Sequence, residues 1–427
     1  MSAYTIPCDL VAPIFNPATF ADRPRVESIF SRLRADYPLG LAEVPGYDPH
    51  WVVTRYDDVK EVLRLGDVFH SGDRSKTPAS QLAEQMMRDY SGGKPHIFRT
   101  LVHMDDPDHS AYRKVTSAQF LPAAVAPLED SVREIARGYI DKMLSGGPTI
   151  DFASEIAMYY PLEVVCTLIG LPKPDHATML RLTQWFLSYA DPDLCRPGSN
   201  LLDPEHMIRT WQIVYDEFCD YYGKIIADRQ ACPRDDVATV IANGQVNGCP
   251  MDERSMISYF VIMSTAGHDT TAATTANAMW TLAQRPDLFA RLKDDPSAIP
   301  GFVEEAIRWT SPVLAFIRSA AEDYTLSGRP IKAGDLLYVS YFSASRDDSA
   351  FEDPYDFRID RRTNRHMSFG YGPHVCLGQH LARLEMRVFW EELLPRLESV
   401  TMAGDGQWQH SEFACGPKSV PIRYAMR

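Results

Sequence analysis

Apolar residues return every three or four positions through most of the chain, the period that buries one side of a helix. The pattern predicts helices over residues 26–37, 124–145, 151–170, 174–190 and 204–230. Residues 41–56 alternate instead, around Pro45-Gly46 and Asp48-Pro49, and predict a small β hairpin. Asp57 or Asp58 is placed to cap a helix ending at Leu65. Strand-like runs also occupy 336–342, beyond turns at Gly328 and Gly334, and parts of the last stretch, about 400–427. Between Gly66 and Phe98 the period is lost among Gly72, Pro78, Gly92, Gly93 and Pro95. An irregular stretch of that length in a compact protein usually carries function, so it is expected to roof a ligand cavity.

The longest predicted helix opens at Asp252 and runs to about Arg285, roughly 50 Å at 1.5 Å per residue. Its middle is poor helix sequence: Ser264-Thr265-Ala266-Gly267-His268-Asp269-Thr270-Thr271, then Thr274 and Thr275. Those threonines and the glycine cost about a few kcal/mol relative to alanine. Local rules broken at one place in an otherwise consistent helix point to function. Met263, Ala266, Gly267, Thr270 and Thr274 fall at helical spacing on one face, with Asp269 at its edge. Small residues there leave room for a flat ring, and a hydroxyl beside a carboxylate gives protons a path. The competing reading is a kink whose threonine hydroxyls bond back to the helix carbonyls.

A second unusual stretch is Phe369-Gly370-Tyr371-Gly372-Pro373-His374-Val375-Cys376-Leu377-Gly378. A helical pattern follows it through Leu381, Leu384, Val388 and Leu394. A thiol at the mouth of a helix feels the positive end of the aligned peptide dipoles, which favours the thiolate. Gly370, Gly372 and Gly378 allow positive φ and the close approach of something flat. The stretch therefore presents one soft anionic ligand to a planar partner. The bland alternative, a buried structural cysteine, needs neither the glycines nor His374.

The 427 residues show no linker, repeat or low-complexity segment, and 45% are hydrophobic, enough for one large domain over residues 1–427. A net charge of −14 argues against a nucleic-acid surface. Locally the balance reverses: Arg358, Arg361, Arg362, Arg365, Arg383 and Arg387 stand against Asp360 and Glu385. These arginines are either ordinary solvated and structural ones or a docking patch for an acidic partner. The eight cysteines contain no C-x-x-C, which suggests a reducing compartment rather than zinc or an iron–sulfur cluster. No signal pattern and no run of eighteen apolar residues occurs, so a cytoplasmic protein with no membrane association is expected.

The pattern Phe-x-x-Gly-x-His-x-Cys-x-Gly at 369–378 resembles the haem-binding signature of the cytochrome P450 superfamily, a likeness that extends from about residue 10 to the end. It implies a mainly α fold with small β-sheets, a triangular prism of helices around a buried haem b. The small β part would come from about 41–56, 313–342 and 400–427. Cys376 would be the metal ligand, in a cradle of Phe369, Gly370, His374 and Gly378. His109 and Arg113, one turn apart on a helix face, would bind the haem propionates with Arg318 and His374. Asp269 and Thr270 resemble the acid-plus-threonine pair of the oxygen-activating helix and would be catalytic. The substrate pocket would draw on Trp185, Phe186, Met263, Ala266, Gly267, Val313, Leu314, Phe316 and Phe413, under a lid formed by the loop at 191–198. Glu305, Arg308 and Arg361 would be structural.

With no flavin or nicotinamide domain in the chain, the resemblance implies electrons from NAD(P)H through a ferredoxin reductase and a [2Fe-2S] ferredoxin. The expected monomer would insert one atom of O2 into a small apolar substrate. Gly46-Tyr47-Asp48-Pro49, Ala266-Gly267-His268-Asp269-Thr270-Thr271 and the run from His374 to Ala382 look most like the terpineol-hydroxylase group, implying a monoterpenoid or alkyl-aromatic substrate. Rival readings are a peroxide-driven haem-thiolate enzyme and a non-enzymatic haem-thiolate ligand sensor.

Overall fold

The computed structural model describes residues 4–199 and 203–427. Helices dominate it. Arg23–Asp36 opens on Asp22, whose side chain accepts the Arg25 amide at 3.1 Å. It buries Val26, Ile29, Phe30 and Leu33, the spacing of a single face. Phe30 packs on Tyr338 and Phe342, which joins this helix to the larger sheet.

That sheet has five strands, in the order Leu39–Ala42, His50–Val53, Leu336–Ser340, Ala315–Ala320 and Phe69–His70. The predicted hairpin supplies the first two, antiparallel, and His50–Val53 then pairs in parallel with Leu336–Ser340. A three-stranded sheet joins Leu397–Met402, Pro421–Met426 and Thr149–Asp151. The strands at 69–70 and 149–151 were not expected; each is three residues or fewer, too short to show a period.

Several expectations need correction. The segment 252–285 is two helices, Glu253–Ala266 and Asp269–Gln284, parted at Gly267-His268. The longest uninterrupted helix is Pro204–Ala231. Asp252 does cap, accepting the Ser255 amide at 2.9 Å. Neither Asp57 nor Asp58 does: Tyr56–Arg64 starts one residue earlier, leaving both inside the first turn, where a carboxylate meets the dipole without capping. Residues 66–98 hold a regular helix, Gln81–Ser91, capped by Ser80 and closed by left-handed Gly92. The helix predicted from 151 begins only at Tyr160, after a strand and a wide helical turn at Ala153–Ala157.

The second half of the broken helix lies deep in the main core, with Thr271–Met279 buried on every side. Around it pack Tyr160–Ile169, Ile299–Thr310 and Gln379–Leu393, the helix that follows the cysteine loop. A buried ion pair ties that loop's approach to the core. Glu305 and Arg308 are both fully buried and meet at 2.6 and 2.8 Å. Arg361 Nε lies 3.1 Å from both Glu305 oxygens, and Asn364 donates to Glu305 at 2.9 Å. Every lone pair is engaged, the condition under which a buried pair holds. Glu305→Ala should lower the free energy of chemical unfolding by about 3–5 kcal/mol, because two guanidinium groups are left without an anion; an unfolding midpoint unchanged in urea would show that the network holds nothing.

Candidate functional site

The cysteine loop is shaped by two glycines that no other residue could replace cheaply. Gly370 and Gly372 have φ of +69° and +71°, and a Cβ on Gly372 would stand 2.3 Å from the Leu63 carbonyl. The loop folds back on itself, Cys376 N–H donating to the Phe369 carbonyl at 2.8 Å. Gly378 differs from the expectation: its φ is −84°, an ordinary value, and a Cβ there would meet nothing within 4 Å. Its missing side chain leaves open space rather than permitting a turn. Phe369 packs under the Arg383 guanidinium at 4.5 Å.

Burial pushes the Cys376 thiol up, against the Gly378 N–H and the charges of Arg113 and Arg383, which pull it down. The dipole argument alone therefore misjudged the free thiol, since burial outweighs it; a coordinated metal deprotonates a thiol outright.

Beside the loop lies an array of nitrogens short of partners. His109 and Arg113 share the helix Asp108–Ser117. His109 is 3% exposed, its ring centre 4.0 Å from that of His374, and its Nε2 has no hydrogen-bond partner. Arg113 donates to the Val375 carbonyl at 2.7 Å. Arg318, on strand Ala315–Ala320, is 4% exposed and donates to its neighbour's carbonyl at 3.1 Å. Burial, then the charges of Arg318 and His109, push His374 down to about 2, and burial likewise lowers His109 and Arg113. Neither arginine forms an ion pair among the described residues. One buried and one half-buried guanidinium group and an orphaned imidazole nitrogen suit a ligand that carries carboxylates.

A cavity of about 390 Å³ opens above the broken helix. Ala266 and Thr270 line it, together with Phe186, Val313, Phe316 and Phe413. Phe316 and Phe413 meet edge to face at 5.2 Å. Four expected pocket residues lie elsewhere. Trp185 sits under the Arg181 guanidinium at 4.6 Å, one position round its helix from Phe186. Leu314, just ahead of strand Ala315–Ala320, is fully buried in the sheet-side core. Met263 is buried in the main core, and Gly267 faces the neighbouring helix: a Cβ on Gly267 would stand 2.8 Å from Val165. That glycine serves close packing between helices, not space for a ring. The cavity face runs through Ile262, Ala266 and Thr270, with Val261 and Thr265 beside it, about one residue round from the predicted stripe.

The threonine hydroxyls do bond back to the helix. Thr265 reaches Val261 O at 2.7 Å, Thr270 reaches Ala266 O at 3.0 Å, and Thr274 reaches Thr270 O at 2.8 Å. The kink and the cavity are thus one feature, since Thr270 keeps its oxygen lone pairs on the cavity side of the break. Asp269 does not line the cavity. Its Oδ1 lies 3.1 Å from His268 Nδ1, while His268 Nε2 donates to the Met158 carbonyl at 2.7 Å. Burial raises the Asp269 carboxyl, and His268 pulls it the other way.

The irregular segment does roof the cavity, through residues 75–80, 83, 84, 87 and 95–98. The loop after residue 190 contributes Cys195, Arg196 and Ser199. It is pinned by Asp191, which receives Lys418 Nζ at 3.0 and 3.1 Å and the His410 amide at 2.9 Å. Sequence reasoning missed Lys76, His96 and His103 in the wall; the first two fall in the aperiodic stretch and His103 in a single short turn just beyond it, so no spacing marked them.

A sulfur on a glycine-shaped loop, cations suited to carboxylates and a cavity with an apolar side over a helix break are what a haem-thiolate oxygenase requires. The chain belongs to the cytochrome P450 family, whose model, Cytochrome P450, matches residues 7–422. It is 40% identical to Cytochrome P450-terp of Pseudomonas sp over 98% of both chains. Among solved structures it resembles CYP108D1 from Novosphingobium aromaticivorans, with a TM-score of 0.91 and 38% identity over 99% of this chain and 100% of that one. It also resembles Mycobacterium marinum CYP268A2 in complex with pseudoionone, with a TM-score of 0.84 and 29% identity over 93% and 94% of the two chains. Members of the family bind haem b and are monooxygenases.

The split between residues 185 and 186 is directly measurable. Phe186→Ala should weaken substrate-induced spectral binding by about tenfold or more through lost aromatic contact, with Trp185→Ala close to the parent. Equal effects from both would place the two rings in one wall.

Proposed function

We propose that this P450 hydroxylates a small apolar terpenoid or alkyl-aromatic compound in the cavity above Ala266 and Thr270. The observation that carries the reading is the cavity's apolar side at the helix break, where Phe186, Val313, Phe316, Phe413 and Ala266 surround the Thr270 hydroxyl. Its volume falls in the range of about 300–1,000 Å³ typical of small-molecule sites. The name of the 40% identical relative, Cytochrome P450-terp, supports the terpenoid class.

In this reading Cys376 would supply the thiolate ligand, and Phe369, Gly370 and Gly378 would shape the cradle for the macrocycle. Arg113, Arg318, His109 and His374 hold its propionates by charge-assisted bonds. When bound, haem supplies the oxygen-activating redox chemistry. The chain supplies orientation, dryness and protons. Asp269, whose carboxyl burial raises, passes a proton toward the break, and Thr270, which lines the cavity there, holds it at Oγ1. Reduced protein treated with carbon monoxide should show the red-shifted band of a thiolate-ligated haem, and Thr270→Ala should keep that band while diverting electrons from product to peroxide. A colourless protein would end this reading; unchanged coupling in the variant would remove Thr270 from the proton path.

Electrons would come from NAD(P)H through a reductase and a [2Fe-2S] ferredoxin in the cytoplasm, where residues 1–427 would act as one domain. The docking patch differs from the one expected. Arg358 is paired with Glu352 and Asp353, Arg361 with Glu305, Arg383 with Glu304, and Arg387 with Glu129 and Glu391. Arg362 and Arg365 remain exposed with no ion pair among the described residues; Arg365 lies against the helix Tyr56–Arg64, its carbonyl accepting the Tyr56 hydroxyl at 2.9 Å, and that helix adds Arg64 and Lys60. Tyr371 is 39% exposed beside them, with Lys60 over its ring at 5.2 Å. This surface, a ring edged by cations next to the cysteine loop, fits an acidic partner. Arg365→Glu should raise the ferredoxin KM several-fold, more so at low salt, with substrate binding untouched; an unaltered KM would move the docking face elsewhere.

A further inference from the structure

The cavity wall contains a cation that the chemistry above leaves without a counter-ion. Lys76 is 6% exposed and lines the cavity. The single hydrogen bond from its Nζ is a long one, 3.4 Å to the Ile317 carbonyl. Its position is fixed from behind, because the Ile317 amide donates to the Lys76 carbonyl at 2.9 Å, attaching the residue to the strand that carries Arg318.

The acids that could neutralise it are committed elsewhere. Asp105 accepts the amides of Ser71 and Gly72 at 2.6 and 2.7 Å. Asp73 accepts the Ser319 hydroxyl at 2.9 Å and lies 3.1 Å from His70. Glu84 lies 2.7 Å from Arg74. Burial, and next the charge of Arg318, hold Lys76 well below the usual lysine range, with Asp105, Asp73 and Glu84 opposing only from a distance. Two imidazoles complete the corner: His96 and His103 stack at 4.5 Å, both lining the cavity, and His96 Nδ1 is buried with no hydrogen-bond partner. An ammonium taken out of water without an anion is expensive, so its place in the wall points to an anion that arrives with a ligand.

We propose that Lys76 binds a carboxylate inside the cavity, with His96 as a neutral second contact. The proposal rests on the haem-thiolate reading. Two ligands bring that chemistry: a propionate of the cofactor, or the acid group of an otherwise apolar substrate.

The test compares the holoprotein with Lys76→Met, which keeps the length of the side chain and removes the charge, and Lys76→Arg, which restores it. Haem transfer to excess apomyoglobin reads the cofactor. Spectral titrations with cuminic acid and cuminyl alcohol, which differ at one carbon, read the substrate. Haem release accelerated about ten- to a hundredfold in Lys76→Met and restored in Lys76→Arg assigns the propionate. Unchanged haem release with cuminate binding weakened by that factor, the alcohol unaffected, assigns the substrate carboxylate. Haem release and the acid-to-alcohol ratio both within about twofold of the parent, the effect of an exposed pair, would overturn the proposal. Should Lys76→Met not fold, Lys76→Gln takes its place with the same outcomes. A parent protein without the thiolate-haem carbon monoxide band fails at the earlier reading, before either comparison is made.

Discussion

A fully buried carboxylate, Glu305, and the two arginines that share it are the constraint on which the rest depends. Arg308 reaches beyond Glu305 to the carbonyls of Ser345, Pro354 and Asp356, and Arg361 to those of Glu352, Asp353 and Asp356. The irregular chain ahead of the cysteine loop has few backbone partners of its own, so these guanidinium groups take the place of a strand or helix ladder. Ser368 adds a bond to the Ile307 carbonyl at 3.0 Å, just before Phe369. Without this stitching, nothing regular would hold the sulfur in register with the core helices.

The second constraint is the break at Gly267-His268. A glycine admits the close approach of Val165, and His268 is spent on the Met158 carbonyl, so the helix stops and restarts with its axis anchored on both sides. The cost in helix propensity falls where the cavity needs backbone and hydroxyl groups free of full helical pairing. The same logic governs the cations around the site. Arg318 and Lys76 are buried and Arg113 is half-buried, none of them in an ion pair among the described residues, a state that an acidic ligand makes favourable. The site is thus built in electrostatic debt to its cofactor, and folding and cofactor binding are coupled in consequence.

Residues 358–387 illustrate how charge read along a chain misleads. The six arginines look like a patch, but each that packs against the core finds a carboxylate brought in from another element: Glu305, Glu304 or Glu129. The cations left free belong partly to a different helix, Tyr56–Arg64. Linear charge counts cannot anticipate pairings made over such separations in sequence.

The chain's own residues determined the helical character of most segments, the hairpin at 39–53, the glycine-shaped cysteine loop and the unusual helix centre, because each is a local matter of period, turn chemistry or propensity. They also carried the family, through a compact motif. Only the tertiary structure decided which faces those elements present. Phe186 rather than Trp185, Ile262 rather than Met263, and Val313 rather than Leu314 line the cavity. A rotation of one residue round a helix or strand is invisible to spacing, and is set by what packs behind it. Lys76, alone in an aperiodic loop, acquires meaning only when folding places it in a wall with no anion beside it.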